Sequence, residues 1–265
     1  MFFTFVMILV TIYSVFRISL DLHQIKYIKS THISDNELNL VKLNQEYVSK
    51  SKLYNIEKLY LSIFSIVIKS SIVIIFVAFN GMFIFKDISN IINVFTINAE
   101  VFNIILFIII LTLIDLPFSY YKVFFIENNY GFNRQSKLLF FKDFVLSLLI
   151  SLIIISILFT IFNKLYNFYI DDWWLYMWLI FIIFNILVMY LFPIIISPLF
   201  NNFKKIDDEE IISEIKDLSK KTNFKISNIY IMDGSKRSGH SNAYFTGFYK
   251  NKRIVFYDTL IDLLT

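Results

Sequence analysis

The sequence predicts an α-helical polytopic membrane protein, with five spans followed by a short cytosolic α+β segment. Three observations carry this. Of the 265 residues, 57% are hydrophobic, 19% aromatic and only 17% charged, with a mean hydropathy of +0.64. That is far from the usual composition of a soluble domain, and a chain of this length cannot build a core large enough to hide so much apolar surface. Apolar runs of the ~20 residues needed to cross a bilayer recur five times. Lys and Arg then alternate between rich and poor loops, which sets an orientation.

The first run is Phe2 to about Leu20. It has no cation before Arg17 and no small-x-small cleavage site, so it reads as an uncleaved anchor. The second runs from about Leu59 to Phe85, the third from about Ile97 to Tyr121, and the fourth from about Phe144 to Phe162. The fifth covers about Trp173 to Phe200, with Trp173, Trp174 and Trp178 grouped at one end like an interfacial belt. Lys26, Lys29, Lys42, Lys50, Lys52 and Lys58 lie between spans one and two, but only Lys86 between two and three. Lys122, Arg134, Lys137 and Lys142 follow span three, and only Lys164 follows span four, beside Asp171 and Asp172. Eleven Lys and Arg follow span five. The pattern places the N-terminus outside and residues from Asn201 onward in the cytosol. Residues 1–205 thus form a five-span membrane region, and 206–265 a cytosolic segment.

Two ionisable groups fall inside spans, Lys69 in the second and Asp115 in the third, just before Pro117. A charge facing lipid is expensive, so both are expected to face other helices or water, as in a polar cavity within the bundle. The plainer account is that Lys69 snorkels or that span two starts late.

In the tail, DDEEIISEIKDLSKK (Asp207–Lys221) opens with four acids and closes with lysines, and Ile211, Ile212, Ile215 and Leu218 make one apolar stripe. This is an amphipathic helix with charges matched to its dipole. Ile226–Met232, Ser241–Phe248 and Arg253–Tyr257 read as three strands, the last two joined by YKNK as a hairpin. Asp258 and Thr259 cap a final helix, DTLIDLLT, within which the sequence is expected to be cut short.

From the end of the first strand into the second runs DGSKRSGHSNAYFTG (Asp233–Gly247). Three uses compete. As a P-loop, GSKRSGHS has His240 where lysine belongs and a strand where a helix should follow. As a metal site, His240 has no Cys anywhere in the chain to join it, and His23 and His32 are far away in sequence. Net charge is +4, too small to argue for nucleic acid, and the lack of cysteine excludes disulfides and thiolate ligands. As a peptide grip, an exposed strand could pair with an extended substrate, Asn242 offering donor and acceptor and Ala243 admitting a second backbone. On the bare residues, a structural hairpin explains the stretch better than a peptide grip.

DGSKRSGHSNAYFTG followed by KRIVFYDTL resembles the integral-membrane zinc endopeptidases known as type I CAAX prenyl proteases. FFIENNYGFN (Phe124–Asn133), PIIISPLFNNF (from Pro193) and the five spans agree with it in order. The resemblance implies seven membrane helices around a water-filled chamber, closed on the cytosolic side by a zinc-protease domain. Zinc is then held by an HExxH helix and a downstream Glu, with the HExxH Glu as general base. An Asn-Ala edge strand binds the substrate backbone, which maps to Asn242 and Ala243, continued by Tyr244 and Phe245, with the loop of Lys236, Arg237 and His240 in support. Lys69 and Asp115 become candidate chamber groups, although no family motif covers Lys69.

No HExxH occurs in these residues. The resemblance therefore implies that this chain holds the N-terminal part and the incomplete start of the protease domain, that zinc belongs to the intact family member, and that this chain binds none and is inactive alone. The implied substrate is a peptide or prenylated-protein C-terminus, with the bilayer and a separately encoded C-terminal part as further partners. The alternative is a non-catalytic pseudoprotease or chamber that binds peptide or lipid.

Overall fold

The structure, a computed structural model, describes residues 2–34, 38, 44–92, 99–223, 226–247 and 252–264. Its Cα packing groups the chain into two compact units, residues 1–131 with 148–157, and residues 132–147 with 158–265.

In the first unit, α1 (Phe2–Ser30) outruns its expected end at Leu20. The added turns stay amphipathic, burying Asp21 and Ile25 while the residues between them remain exposed. Helix α2 (Gln45–Ala78) corrects the second expected span at both ends. It begins earlier because Asn44 caps it, its side chain accepting from the Tyr47 N–H. It stops at Ala78 because Asn80 takes a left-handed φ of 53°, and α3 (Gly81–Ile92) follows separately. Gly81 lets the chain turn back closely, since a Cβ there would lie 2.2 Å from the Phe76 ring.

Helix α4 (Ala99–Tyr121) contains Pro117 and widens into π-type turns over Lys122–Glu127. Helices α1 and α2 run antiparallel, as do α2 and α4, where Phe76 meets Phe107 and Phe64 meets Phe118.

Helix α5 (Lys137–Phe168) is capped by Ser136, which accepts from the Leu139 N–H, and exceeds the expected span at both ends. Helix α6 (Trp173–Leu191) passes through a π-type turn at Pro193 into a last turn, Ser197–Phe200. No residue of Trp173–Leu191 is buried, and Trp178 and Phe181 are 60% and 59% exposed. Such a surface requires lipid. The described residues contain five helices long and apolar enough to cross a membrane, so the protein is integral to a membrane.

The second unit carries a four-stranded sheet in the order β1-β2-β4-β3, where β1 is Phe203–Lys205, β2 Asn228–Met232, β3 Ala243–Thr246 and β4 Arg253–Tyr257. Three strands were expected; β1 escapes a sequence reading because it is three residues long and carries two lysines. β1 pairs antiparallel with β2, β2 parallel with β4, and β4 antiparallel with β3. Val255 at the centre is fully buried. Helix α7 (Glu209–Lys221) is capped by Asp208, and its Ile212 and Ile215 line one small cavity with Ile206 and Ile229. Of its apolar stripe, Leu218 remains exposed. Helix α8 (Asp258–Leu264) follows β4 directly. The expected end of β3 at Phe248 and most of the YKNK turn fall on 248–251, outside the described residues.

Candidate functional site

β3 lies at the edge of the sheet and pairs with β4 alone among the described strands. The Tyr257 N–H donates to the Asn242 carbonyl at 2.9 Å. In an antiparallel ladder the bonded pairs alternate, so Asn242, Tyr244 and Thr246 turn their main-chain groups toward β4. Ala243 and Phe245 turn theirs away from β4. Asn242 and Ala243 are exposed, as is the Phe245 side chain. The outward Ala243 N–H is capped at 2.8 Å by Oδ1 of Asn242, so Asn242 already bonds a main-chain donor on the edge. Tyr244 points the other way, its hydroxyl 3.8 Å from Met232 Sδ, and burial pushes its phenol up despite a hydrogen bond with Ser197. Of the expected edge residues, Tyr244 anchors the strand while Asn242 and Ala243 present it.

The preceding loop is clamped. Arg237 donates from Nε and Nη2 to the two carboxylate oxygens of Asp143 at 2.7 and 2.9 Å. It also donates to the Phe200 carbonyl at 2.7 Å and to Asn201 Oδ1 at 3.0 Å. One guanidinium thereby joins the first turns of α5 to the C-terminal carbonyls below α6, the end of a helix where a cation is favoured. The bond to Asp143 raises the Arg237 pKa further despite partial burial. Gln135 also donates to Asp143, at 2.9 Å. Residues 132–134 run beside 237–239, with the Gly239 N–H bonded to the Phe132 carbonyl at 2.8 Å and the Arg134 N–H to the Arg237 carbonyl at 3.2 Å. The Phe132 ring stacks on His240 at 4.0 Å. Thr259 of α8 donates to the His240 carbonyl, and Ser235 donates to Asp258 through both its N–H and its hydroxyl. Gly234 is required here, since a Cβ would meet the Tyr257 ring at 2.6 Å.

Lys236 pairs with Asp233 at 2.6 Å, and Asp233 accepts from the Asn202 N–H and side-chain amide at 2.7 and 2.9 Å. Burial alone would raise the Asp233 carboxyl, but these bonds outweigh it and hold it below its ordinary 3.8. A lowered folded value contributes stability that is present above pH 3.8 and is lost as pH falls through the folded value. Asp233→Asn is therefore expected to destabilise the chain at pH 6. The difference between variant and wild-type melting temperatures should shrink as pH drops below 3.8; a constant difference down to pH ~3 would contradict this assignment.

In the first unit, Lys69 Nζ donates to Asp115 Oδ1 at 2.5 Å, joining α2 to α4. The two lone charges are partners. Asp115 lines a polar cleft of about 480 Å³ whose walls include Arg17, Asp21, Lys58 and Lys122. Lys69→Ala is expected to cost ~1 kcal/mol of helix association, and the charge swap Lys69→Asp/Asp115→Lys to recover most of it. Melting of the three proteins in detergent checks this; an unimproved swap argues against the pair.

Zinc needs three or four protein ligands. Among the described residues no group of three or more His, Cys, Asp or Glu could hold a metal, and the ring of His240 is stacked on Phe132. These residues do not fit a zinc ion, and no chemical step is assigned through one. Sequence reasoning missed Asp143, Asn201, Asn202 and Ser197. The one available signal was Asp143 itself, an acid in the apolar opening of α5, where an unpaired carboxylate would be costly.

Two family descriptions match the chain. "CAAX prenyl protease N-terminal, five membrane helices" covers residues 24–202, and "Peptidase family M48" covers residues 205–265. CAAX prenyl protease 1 of Saccharomyces cerevisiae is 38% identical over 152 residues, 57% of this chain and 34% of that protein. The Homo sapiens CAAX prenyl protease 1 homolog is 29% identical over 243 residues, 89% of this chain and 51% of that protein. The crystal structure of S. mikatae Ste24p superimposes with a TM-score of 0.87 at 30% identity, covering 98% of this chain and 62% of that one. The matched part thus spans about a third to a half of these curated relatives.

Proposed function

Because the chain belongs to the CAAX prenyl protease family of M48 membrane metallopeptidases, we propose that it supplies the five spans and the peptide-binding edge of an endopeptidase cutting near the C-terminus of prenylated, membrane-associated proteins. The observation that carries this is the side of β3 turned away from β4, which no described strand occupies. Ala243 turns its main-chain groups away from β4 there, and the Arg237 clamp holds the preceding loop, so an extended peptide can add as a further strand. Asn242 adds a side-chain donor and acceptor beside that strand.

The zinc ligands and general base come from residues outside these 265, whether continuous with them or separately encoded. The similarity to longer relatives supports this. The alternation of Lys and Arg between loops supports an N-terminus outside and a tail in the cytosol.

The purified 265-residue chain is expected to take up no stoichiometric zinc and to leave a farnesylated C-a-a-X peptide uncut. Supplying the zinc-bearing part of a close relative is expected to restore release of the C-terminal residues. Tight zinc uptake by this chain alone, or no cleavage in a zinc-loaded assembly, would count against the proposal. A non-catalytic peptide-binding chamber would show the second result together with retained peptide binding.

A further inference from the structure

The polar cleft of the first unit is not used by the peptide edge. It collects one cation from each of three helices, Arg17 from α1, Lys58 from α2 and Lys122 from the widened end of α4. Against them stand Asp21 and Asp115. Asp115 is already engaged by Lys69, and Asp21 accepts the Ser62 hydroxyl at 2.8 Å. Lys122 is only loosely held by Glu127, at 3.9 Å, and Lys58 lies over the Tyr54 ring at 4.6 Å.

Arg17 has no ion-pair or side-chain hydrogen-bond partner among the described residues, and it falls in the last turns of the first apolar run. A cation at such a position normally faces a partner charge or water. Beside the cleft, and sharing Leu61 and Phe118 with it, runs a groove of about 700 Å³ lined by Tyr60, Phe64, Pro117 and Tyr121. Phe64, Tyr60 and Tyr121 are about half exposed, at 59%, 49% and 48%. A basic cleft that continues into an aromatic groove is complementary to a molecule with an anionic head and a hydrocarbon tail.

We propose that this pair of cavities binds an anionic membrane lipid, its phosphate seated among Arg17, Lys58 and Lys122 and one acyl chain along Phe64, Phe118 and Tyr121. Three cations from separate helices suit a phosphodiester, which offers several acceptor oxygens, and the planar fork of Arg17 matches two of them. Both cavities lie where apolar span residues meet the loop cations Lys58 and Lys122, the level at which a lipid headgroup sits. The lipid would supply the negative charge that Arg17 lacks and would tie α1, α2 and α4 together. The site is independent of the proteolytic reading, since it uses none of the residues at β3.

The test uses the whole 265-residue chain in non-ionic detergent, with retained lipid counted by native mass spectrometry. Phosphatidylglycerol is expected to be held about tenfold more tightly than phosphatidylcholine of the same chains. Arg17→Gln, with wild-type helix content by circular dichroism, is expected to erase that preference. Should the variant fail to fold, salt raised to ~1 M on the wild type must erase it instead. Equal retention of the two lipids overturns the proposal, as does a preference untouched by Arg17→Gln in a folded variant. Selective retention of a farnesylated peptide over phosphatidylglycerol also overturns it, by making the cleft a peptide site.

Discussion

Arg237→Ala is expected to lower the melting temperature in detergent by roughly 6–12 °C and to open the 234–242 loop to protease. The reason is the carboxylate left behind. Asp143 and Arg237 are 18% and 22% exposed, so most of each charge is already out of water. Removing one partner of such a pair strands the other, at a cost of ~3 kcal/mol, the low end for a buried pair because a fifth of each side chain still meets solvent. The Phe200 carbonyl and Asn201 side chain lose their donor at the same time. Arg237→Lys should recover only part, because an ammonium cannot make the forked contact. Arg237→Ala/Asp143→Ala should melt above Arg237→Ala, since the orphan charge is gone. A single variant that melts within ~1 °C of wild type would show that the clamp does not hold the loop.

Asn242→Ala, in a protein assembled with its zinc-bearing part, is expected to reduce kcat/KM by about 10- to 100-fold while metal content stays unchanged. The side chain now caps the Ala243 N–H on the side of β3 turned away from β4, and an incoming peptide would exchange that local bond for bonds to its own backbone. Alanine removes both amide functions without disturbing the ladder, because the Asn242 carbonyl keeps its bond from Tyr257. Asn242→Asp separates the two functions, since it keeps the acceptor and loses the donor; it should fall between wild type and alanine. Loss of zinc, or turnover unchanged in both variants, would remove Asn242 from the substrate edge.

The helices were legible because their signals are local. Runs such as Trp173–Phe200 declare themselves by length and composition, and β4 was read with its observed ends because alternation and flanking turn residues lie within a few positions. The failures were also local in origin. β1 is too short to show a period. The end of α2 depends on a left-handed Asn80, which the surrounding apolar run disguised. The candidate site was partly legible. DGSKRSGHSNAYFTG named a loop and strand that the structure places at the sheet edge, but nothing near Arg237 named Asp143, 94 positions away.

By itself, the sequence determined a membrane protein of five spans with a small sheet, and the family, because hydropathy, periodicity and motif are properties of neighbouring residues. Only the tertiary structure decided that β3 is an edge of the described sheet with two residues turned away from β4, that Lys69 and Asp115 share one ion pair, and that Arg17 has no such partner among the described residues. Hydrogen-bond direction and charge pairing depend on which distant segments meet, and a low-dielectric surround makes those meetings count; neither is encoded in any short window of the chain.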